Sequence, residues 1–431
     1  MAIKILATAD LHLGKSSSGI PEHSEVASTR YTWLRMINWA ITNNVDVVVL
    51  CGDIIDRDNR FFEAIGPLQS GFDLLKKAGI VIYLVTGNHD FDVLSQVIHT
   101  AKNEHVHLLG INGKWEIMTF SKDTQTIQFV GWSFPNQYVA QDPLVTFAEI
   151  TLDPNQIAIG LLHGDLDNVE SIYAPLQLAS LLRSRVNAWI LGHIHKPAEI
   201  RPLNPSVWYA GSPQALSSKE QGIHGPLLIT IKDTDITIHP VALSPVRYER
   251  LSIDLTGVDT EADLRDRLIT GIFGDAGTKN QELSEVAYLV YDISMVGKST
   301  KIRELAFWAH QLVRDYSQQT DSGTAIVVRS VSSNLQPSVK NLQELSAQES
   351  PAGILAQSIL ALELNQTNPF LEKLLIEWKH KQQLLNTSIV YQPLHVPGKA
   401  VDENEPDAKK YILQECNRLL AELMAQQSIT E

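Results

Sequence analysis

The sequence predicts an α/β fold of layered sheets flanked by helices, followed by a small α/β module and a mainly helical C-terminal region. Three observations carry that prediction. Over residues 1–245, short apolar runs of strand length alternate with amphipathic helical segments, the signature of α/β layers. The run Trp115–Trp132 instead reads as an antiparallel hairpin, so the sheet is mixed or two sheets form a sandwich. Beyond the Ser/Asn/Pro-bearing stretch Ser332–Pro337 the apolar spacing becomes helical.

Taken in order, Ile3–Thr8 and Val45–Cys51 are apolar strands separated by a helix over Thr29–Asn43, whose Trp33, Met36, Ile37, Ala40 and Ile41 share one face. Phe61–Ala78 is the next helix, ended by Gly79. Strands follow at Val81–Thr86, Val106–Leu109, Ile127–Trp132, Ile157–His163, Ala188–Leu191, Val207–Ala210 and Leu227–Ile231. A boundary near Leu243-Ser244-Pro245 opens a β-α-β-α-β module over 246–335: Tyr248–Leu255, Thr260–Ile272, Val286–Ile293, Ile302–Tyr316 and Thr324–Val331. The third region, 336–431, reads as helices Ile354–Leu364, Pro369–Leu385 and Ala408–Gln426, with Gln392–Asp407 an exposed loop. Ile354, Leu355, Ile359, Leu360, Leu362 and Leu364 form a stripe that either covers the preceding module or receives a partner.

The composition bounds the function. With 44% apolar and 19% charged residues the chain is ordinary for a globular protein, and no 18-residue apolar span is present to cross a bilayer. Its start, Met1-Ala2-Ile3-Lys4-Ile5-Leu6, lacks the features of a secretory signal, and two cysteines make no disulfide framework; a cytoplasmic location is the expectation. The formal net charge of −14 weighs against an electrostatic grip on nucleic acid. Two divalent cations would add about four positive charges locally, and local fields matter more than the total.

Five short blocks carry the chemistry: Asp10-x-His12, Gly52-Asp53-x-x-Asp56, Gly87-Asn88-His89-Asp90, His163-Gly164-Asp165 and Gly192-His193-x-His195. Each follows an apolar strand. Alone, Asp-x-His is as readily a polar strand end, and Gly-Asp a helix N-cap. Together they assemble Asp, Asn and His in the mixture that holds two divalent metals. In extended geometry residues i and i+2 point the same way, so Asp10 and His12 can reach one ion. Gly52 allows a sharp turn that projects Asp53, whose two oxygens can bridge paired cations. Asn88 offers a neutral oxygen ligand and a donor for a phosphate, and His89 beside it is a candidate to meet the substrate. Nitrogen and carboxylate donors without thiolate suit manganese, iron or zinc. Cys51 reads as a small buried apolar residue, and His105 and His107 as a solvated strand edge. Arg57, Lys196 and Lys219 are candidate phosphate contacts, although surface cations are common everywhere.

These motifs resemble the calcineurin-like metallophosphoesterase superfamily. Over the N-terminal region they look most like its DNA-repair exonuclease branch, the SbcD, YhaO-type and meiotic-recombination-eleven-type nucleases. Gly52-Asp53-Ile54-Ile55-Asp56, the segment Trp189–Pro197 and Tyr209-Ala210-Gly211-Ser212-Pro213-Gln214 carry the likeness, with Ala210 where that branch usually has proline. The resemblance implies a β-sandwich flanked by helices, with a small capping domain. It implies one ion on Asp10, His12, Asp53 and His195, and a second on Asp53, Asn88, His163 and His193. It further implies that His89 acts at the leaving oxygen with Asp56 orienting it, that Mn²⁺ is the metal, and that DNA is the substrate. An SMC-like or coiled-coil ATPase is the implied partner, and a homodimer is compatible with the likeness. The reaction so implied is phosphodiester hydrolysis without a protein nucleophile. Two other readings stand beside it: a phosphoprotein phosphatase or cyclic-nucleotide phosphodiesterase of the same fold, and a scaffold with a vestigial metal site.

Overall fold

The computed structural model describes residues 2–21, 24–59, 64–101, 103–314, 316, 318–320, 323–338, 342–387 and 405–427. The chain forms two compact units. The first comprises Met1–Arg250, Phe273–Asp292 and Tyr316–Ser330; the second comprises Leu251–Ile272, Ile293–Asp315 and Val331–Glu431.

In chain order the first unit begins β1 (Ile3–Thr8), α1 (Thr29–Thr42), β2 (Val47–Cys51), α2 (Ile65–Lys77), β3 (Val81–Val85), α3 (Leu94–Ala101) and β4 (Val106–Leu108). The hairpin β5 (Glu116–Lys122) and β6 (Gln125–Gly131) leads to β7 (Ile157–His163) and the two-residue strands β8 (Asp165–Leu166) and β9 (Pro175–Leu176). Then come α4 (Leu178–Arg183), β10 (Ala188–Gly192), β11 (Ala198–Arg201), β12 (Ser206–Tyr209), β13 (Leu227–Lys232) and β14 (Asp235–Pro240).

These strands make two six-stranded sheets, ordered β14-β13-β1-β2-β3-β4 and β11-β12-β10-β7-β6-β5. In the first, β1 through β4 are mutually parallel and β13 runs antiparallel to β1. In the second, β6, β7, β10 and β12 are parallel, with antiparallel strands at both edges. The period-2 alternation of a strand sends neighbouring residues to opposite faces. Ile5 and Ala7 therefore enter the apolar layer between the sheets with Val49, Phe129, Ile159 and Ile190, while Leu6 faces the helices. That outer layer joins Leu6, Val48 and Leu84 to Trp33, Met36 and Ile37 of α1 and Leu68 and Phe72 of α2. The other outer face packs Trp189 and Leu191 against Leu181 of α4. The fold is thus a two-sheet sandwich covered by helices on both sides. The expected hairpin is β5–β6, paired from Glu116↔Gly131 to Lys122↔Gln125.

Several boundaries differ from expectation for local reasons. The Ser28 side chain accepts from Arg30 N and starts α1, and Gly79, at φ +75°, follows the end of α2. Residues 61–63, the first part of the expected Phe61–Ala78 helix, lie outside the described residues, and Ala64 directly precedes α2. Helix α3, α4 and the edge strands β11 and β14 were not anticipated, because each is short.

Beyond residue 245, β15 (Val246–Asp254), α5 (Glu261–Thr278), β16 (Tyr288–Val296), β17 (Lys298–Ser299), α6 (Ile302–Arg314), β18 (Gln318–Gln319) and β19 (Ala325–Ser333) follow. Within the Ser332–Pro337 stretch, β19 continues to Ser333 and β20 (Gln336–Pro337) pairs with β17. The chain closes with α7 (Leu342–Ser346), α8 (Pro351–Glu363), α9 (Pro369–Thr387) and α10 (Glu405–Gln427). Helix α8 starts three residues earlier than its apolar stripe because Ser350 caps Gly353 N at 3.1 Å and Pro351 sits in the first turn. In the stripe, Ile359 and Leu362 are buried with Leu371, Ile412 and Cys416, whereas Ile354 and Leu364 are exposed. Of the expected loop Gln392–Asp407, residues 392–404 lie outside the described residues, and 405–407 begin α10.

Candidate metal centre

All five blocks sit at or just past the C-terminal ends of parallel strands: β1, β2 and β3 of one sheet, β7 and β10 of the other. Adjacent parallel strands end at a common edge, so blocks far apart in sequence converge there, as ligands do in open α/β sheets.

The loops that carry the side chains are strained. Asp10, His12 and Asp53 have φ of 51°, 43° and 51°, and His193 has φ 96°. Few non-glycine residues adopt such values, and they concentrate at functional sites. This corrects the extended i, i+2 argument: β1 ends at Thr8, and left-handed turns, not the pleat, bring Asp10 and His12 together. Glycines make room for the crowding. Gly52 takes φ +82°, and a Cβ on Gly87 would collide with the Asp53 carboxylate.

Donor atoms of Asp10, His12 and His195 lie within 4.8 Å of one another, as do those of Asp10, Asp53 and His163, and those of His12, Asp56 and His89. His163 Nε2 stands 3.1 Å from Asn88 Oδ1 and 3.4 Å from Asp53 Oδ2. The His193 ring centroid is 5.4 Å from that of His163. Asp10, His12, Asp53, Asn88 and His163 are buried, whereas His193 and His195 are half-buried. The His89 side chain is 30% exposed and so is open to an incoming molecule. Every candidate residue is therefore in one cluster, while Arg57, Lys196 and Lys219 are exposed side chains on its flanks. Cys51 is buried in the inter-sheet layer, and His107 stacks on Tyr83 at 5.1 Å, away from the cluster.

Hydrogen bonds fix the orientation of the donors. His163 Nδ1 is 3.0 Å from the Cys51 carbonyl, which leaves Nε2 facing Asp53 and Asn88. Both Asp10 oxygens accept from His193 N at 3.1 Å, and Asp53 Oδ1 accepts from His89 N at 2.8 Å. Tyr209 Oη donates to Gly164 O at 3.0 Å and accepts from Leu166 N at 2.8 Å, pinning the loop after His163. The Tyr209–Gln214 segment adds Ser212 N donating to His195 O at 2.8 Å.

Three residues that sequence reasoning left without a role complete the site. Asp90 is fully buried and accepts from Gly87 N at 2.8 Å and Ile54 N at 2.7 Å, tying the β3 loop to the β2 loop. It lay inside a recognised block, so its position was visible although its task was not. Lys15 Nζ is 2.8 Å from Asp56 Oδ1. Glu220 Oε1 is 2.9 Å from His195 Nδ1, and nothing in the local sequence distinguishes it from the other acids.

The electrostatics follow from burial and charge. Burial opposes ionisation of Asp53, but His163 and His12 outweigh it and hold the carboxyl well below its usual range. Burial likewise opposes protonation of His163, yet Asp53 and Asp10 prevail and raise it to about 9. At Asp90 burial and Asp53 raise the carboxyl to about 6 against its backbone hydrogen bonds. The donor set fits divalent cations by a specific observation. His12 Nε2 and His195 Nε2 face each other at 3.1 Å, while their Nδ1 atoms face the carboxylates of Asp56 and Glu220. A carboxylate only accepts, so neutral rings with Nδ1–H toward Asp56 and Glu220 turn both Nε2 lone pairs into the gap. A cation between them relieves that repulsion, and the separation matches neighbouring donors around an ion bound at about 2.1 Å.

The calcineurin-like phosphoesterase family model matches residues 3–197. The uncharacterized metallophosphoesterase YhaO of Bacillus subtilis (strain 168) is 29% identical over 262 residues, 59% of this chain and 64% of that protein. The SbcD component of the nuclease SbcCD from the same organism is 26% identical over 259 residues, 51% of this chain and 64% of that one. The DNA double-strand break repair protein Mre11 of Methanopyrus kandleri is 20% identical over 307 residues, 66% of this chain and 68% of that one. The chain thus spans less than two-thirds of the length of the first two relatives. From β1 to the loop after β10, residues 3–197 thus match the calcineurin-like phosphoesterase family, and the chain is similar to the YhaO, SbcD and Mre11 proteins.

Proposed function

We propose that the protein is a two-metal phosphodiesterase, a Mn²⁺-dependent DNA exo/endonuclease that works with an SMC-like ATPase partner. The observation that carries the hydrolytic part is the single cluster of Asp, Asn and imidazole donors at the shared strand edge, with His89 at its rim. Likeness to a component of a nuclease and to a double-strand break repair protein supports DNA as substrate.

Asp10, His12, Asp53 and His195 would hold one cation, and Asp53, Asn88, His163 and His193 the other. Such cations, when bound, lower the pKa of a coordinated water and neutralise charge on phosphate oxygens. The chain's own groups do the rest. Asn88 donates its amide N–H toward a phosphate oxygen while its carbonyl oxygen faces the site. Asp56, with Oδ1 3.5 Å from His89 Nδ1, turns the imidazole so that Nε2 lies on the Asp53 side, 4.0 Å from Asp53 Oδ2. The Asp56 carboxylate, 3.5 Å from Nδ1, raises the His89 pKa from its ordinary value, against burial and with help from Asp53. In its protonated form His89 can deliver that proton to the departing sugar oxygen, a role typically worth about 10²–10⁴-fold. Lys15, paired with Asp56, balances charge beside it.

The net charge of −14 keeps a small phosphodiester in view as the alternative substrate. The test is cleavage of end-labelled linear double-stranded DNA, and of bis(p-nitrophenyl) phosphate, with Mn²⁺, Mg²⁺ or chelator. DNA shortening with Mn²⁺ that drops at least ~100-fold in His89→Ala supports the nuclease reading. Turnover of the small diester with intact DNA would overturn DNA as the substrate of the isolated chain, and no turnover of either would overturn the phosphodiesterase itself.

A further inference from the structure

We propose that Glu220 is the positioning residue of His195, holding that imidazole in the tautomer that presents Nε2 to the cation site. The inference rests on the metal-centre part of the reading above and is independent of the DNA substrate.

Glu220 is not in any of the five blocks, yet its Oε1 lies 2.9 Å from His195 Nδ1. Its other oxygen is anchored: Oε2 accepts from Leu216 N at 2.7 Å and from Ser212 Oγ at 3.4 Å. Ser212 in turn donates its N–H to the carbonyl of His195 at 2.8 Å, so the acid is tied to the backbone of the residue it orients. A buried His224 closes the set, with Nδ1 3.2 Å from Ser212 Oγ and 2.9 Å from Ser212 O. The Glu220 side chain is 12% exposed, so this contact is not a mobile surface pair.

The chemical consequence is a fixed proton. An ionised carboxylate has no hydrogen to give, so the shared proton sits on His195 Nδ1 and the lone pair sits on Nε2. That Nε2 is the atom 3.1 Å from His12 Nε2. Without Glu220 the ring is free to place its proton on either nitrogen and to rotate, and both changes remove a ligand. Carboxylates that orient metal-bound imidazoles in this way typically change metal affinity by roughly 10–100-fold. Glutamine at 220 keeps the shape but offers an N–H as well as an oxygen, so it no longer dictates the tautomer.

The test is calorimetric titration of Mn²⁺ into the chelator-stripped full chain: wild type, Glu220→Ala, Glu220→Gln, His195→Ala and the Glu220→Ala/His195→Ala double variant. The expected result is one Mn²⁺ event weakened by roughly 10–100-fold in both Glu220 variants, the other unchanged, and no further loss when Glu220→Ala is added to His195→Ala. Glu220→Gln, isosteric, carries the test should the alanine variant fail to fold. Wild-type affinity in the Glu220 variants overturns the assignment and leaves the metal centre standing. An equal extra loss on the His195→Ala background also overturns it, because Glu220 would then act through the loop and not the imidazole. Failure of the wild type to bind Mn²⁺ removes the metal centre and this inference together.

Discussion

His193 sits where burial, reinforced by the neighbouring His163, disfavours protonation, and its pKa falls to about 4 despite Asp53 and Asp165. The neutral ring is the form that can donate a lone pair. The folded-state value lies below the unfolded value of about 6.5, so the neutral ring contributes stability that is fully present above pH 6.5. That contribution is lost as pH falls through about 4. Metal-stripped protein should therefore lose on the order of 2 kcal/mol from this group between pH 7 and pH 4. The check is the difference in urea midpoint between wild type and His193→Gln across that range. Parallel pH profiles for the two proteins would show that His193 titrates normally. His163 behaves oppositely: raised to about 9, its protonated form adds stability at low pH that fades as pH climbs through that value.

The helix pair α1–α2 shows how an element's sequence can mislead. Gly71 lies in the middle of α2, where alanine would gain about 1 kcal/mol of helix propensity. In the fold, however, a Cβ at Gly71 would collide with Trp33 Nε1 and come 2.5 Å from Ile37 Cδ1 of α1. Trp33 cannot easily move, being fully buried and donating to Pro67 O at 3.1 Å. Gly71→Ala should thus destabilise by about 1–3 kcal/mol, the usual cost of overpacking, instead of stabilising. Thermal or urea unfolding of the single variant decides the sign, and an unchanged or higher midpoint would mean that α1 yields.

At the scale of the whole molecule, the cluster gathers like-charged carboxylates and mutually facing imidazoles in a buried edge, an arrangement that costs folding energy until cations occupy it. Mn²⁺ at about 100 times its dissociation constant should raise stability by about 2.7 kcal/mol per site, and chelator should reverse the gain. Denaturant unfolding with and without Mn²⁺ reads this directly; coincident curves would contradict a preformed cation site. Among the described residues no helix is long and apolar enough to cross a membrane.

Much of this architecture was legible along the chain because its signals are local. Buried parallel strands such as Ile157–His163 are continuous apolar runs, and a Gly beside an Asp or His at their ends marks a turn that must project a polar group. Those features determined the sandwich's principal strands, the α1 and α2 helices and the residues that gather at the site. Tertiary structure alone decided the rest. Which sheet each strand joins, the left-handed turns at Asp10, His12, Asp53 and His193, and the partnership of Glu220 with His195 across 25 positions all depend on contacts distant in sequence. A carboxylate carries no local pattern that tells whether it will face water or an imidazole, since that depends on where the folded chain brings the other partner.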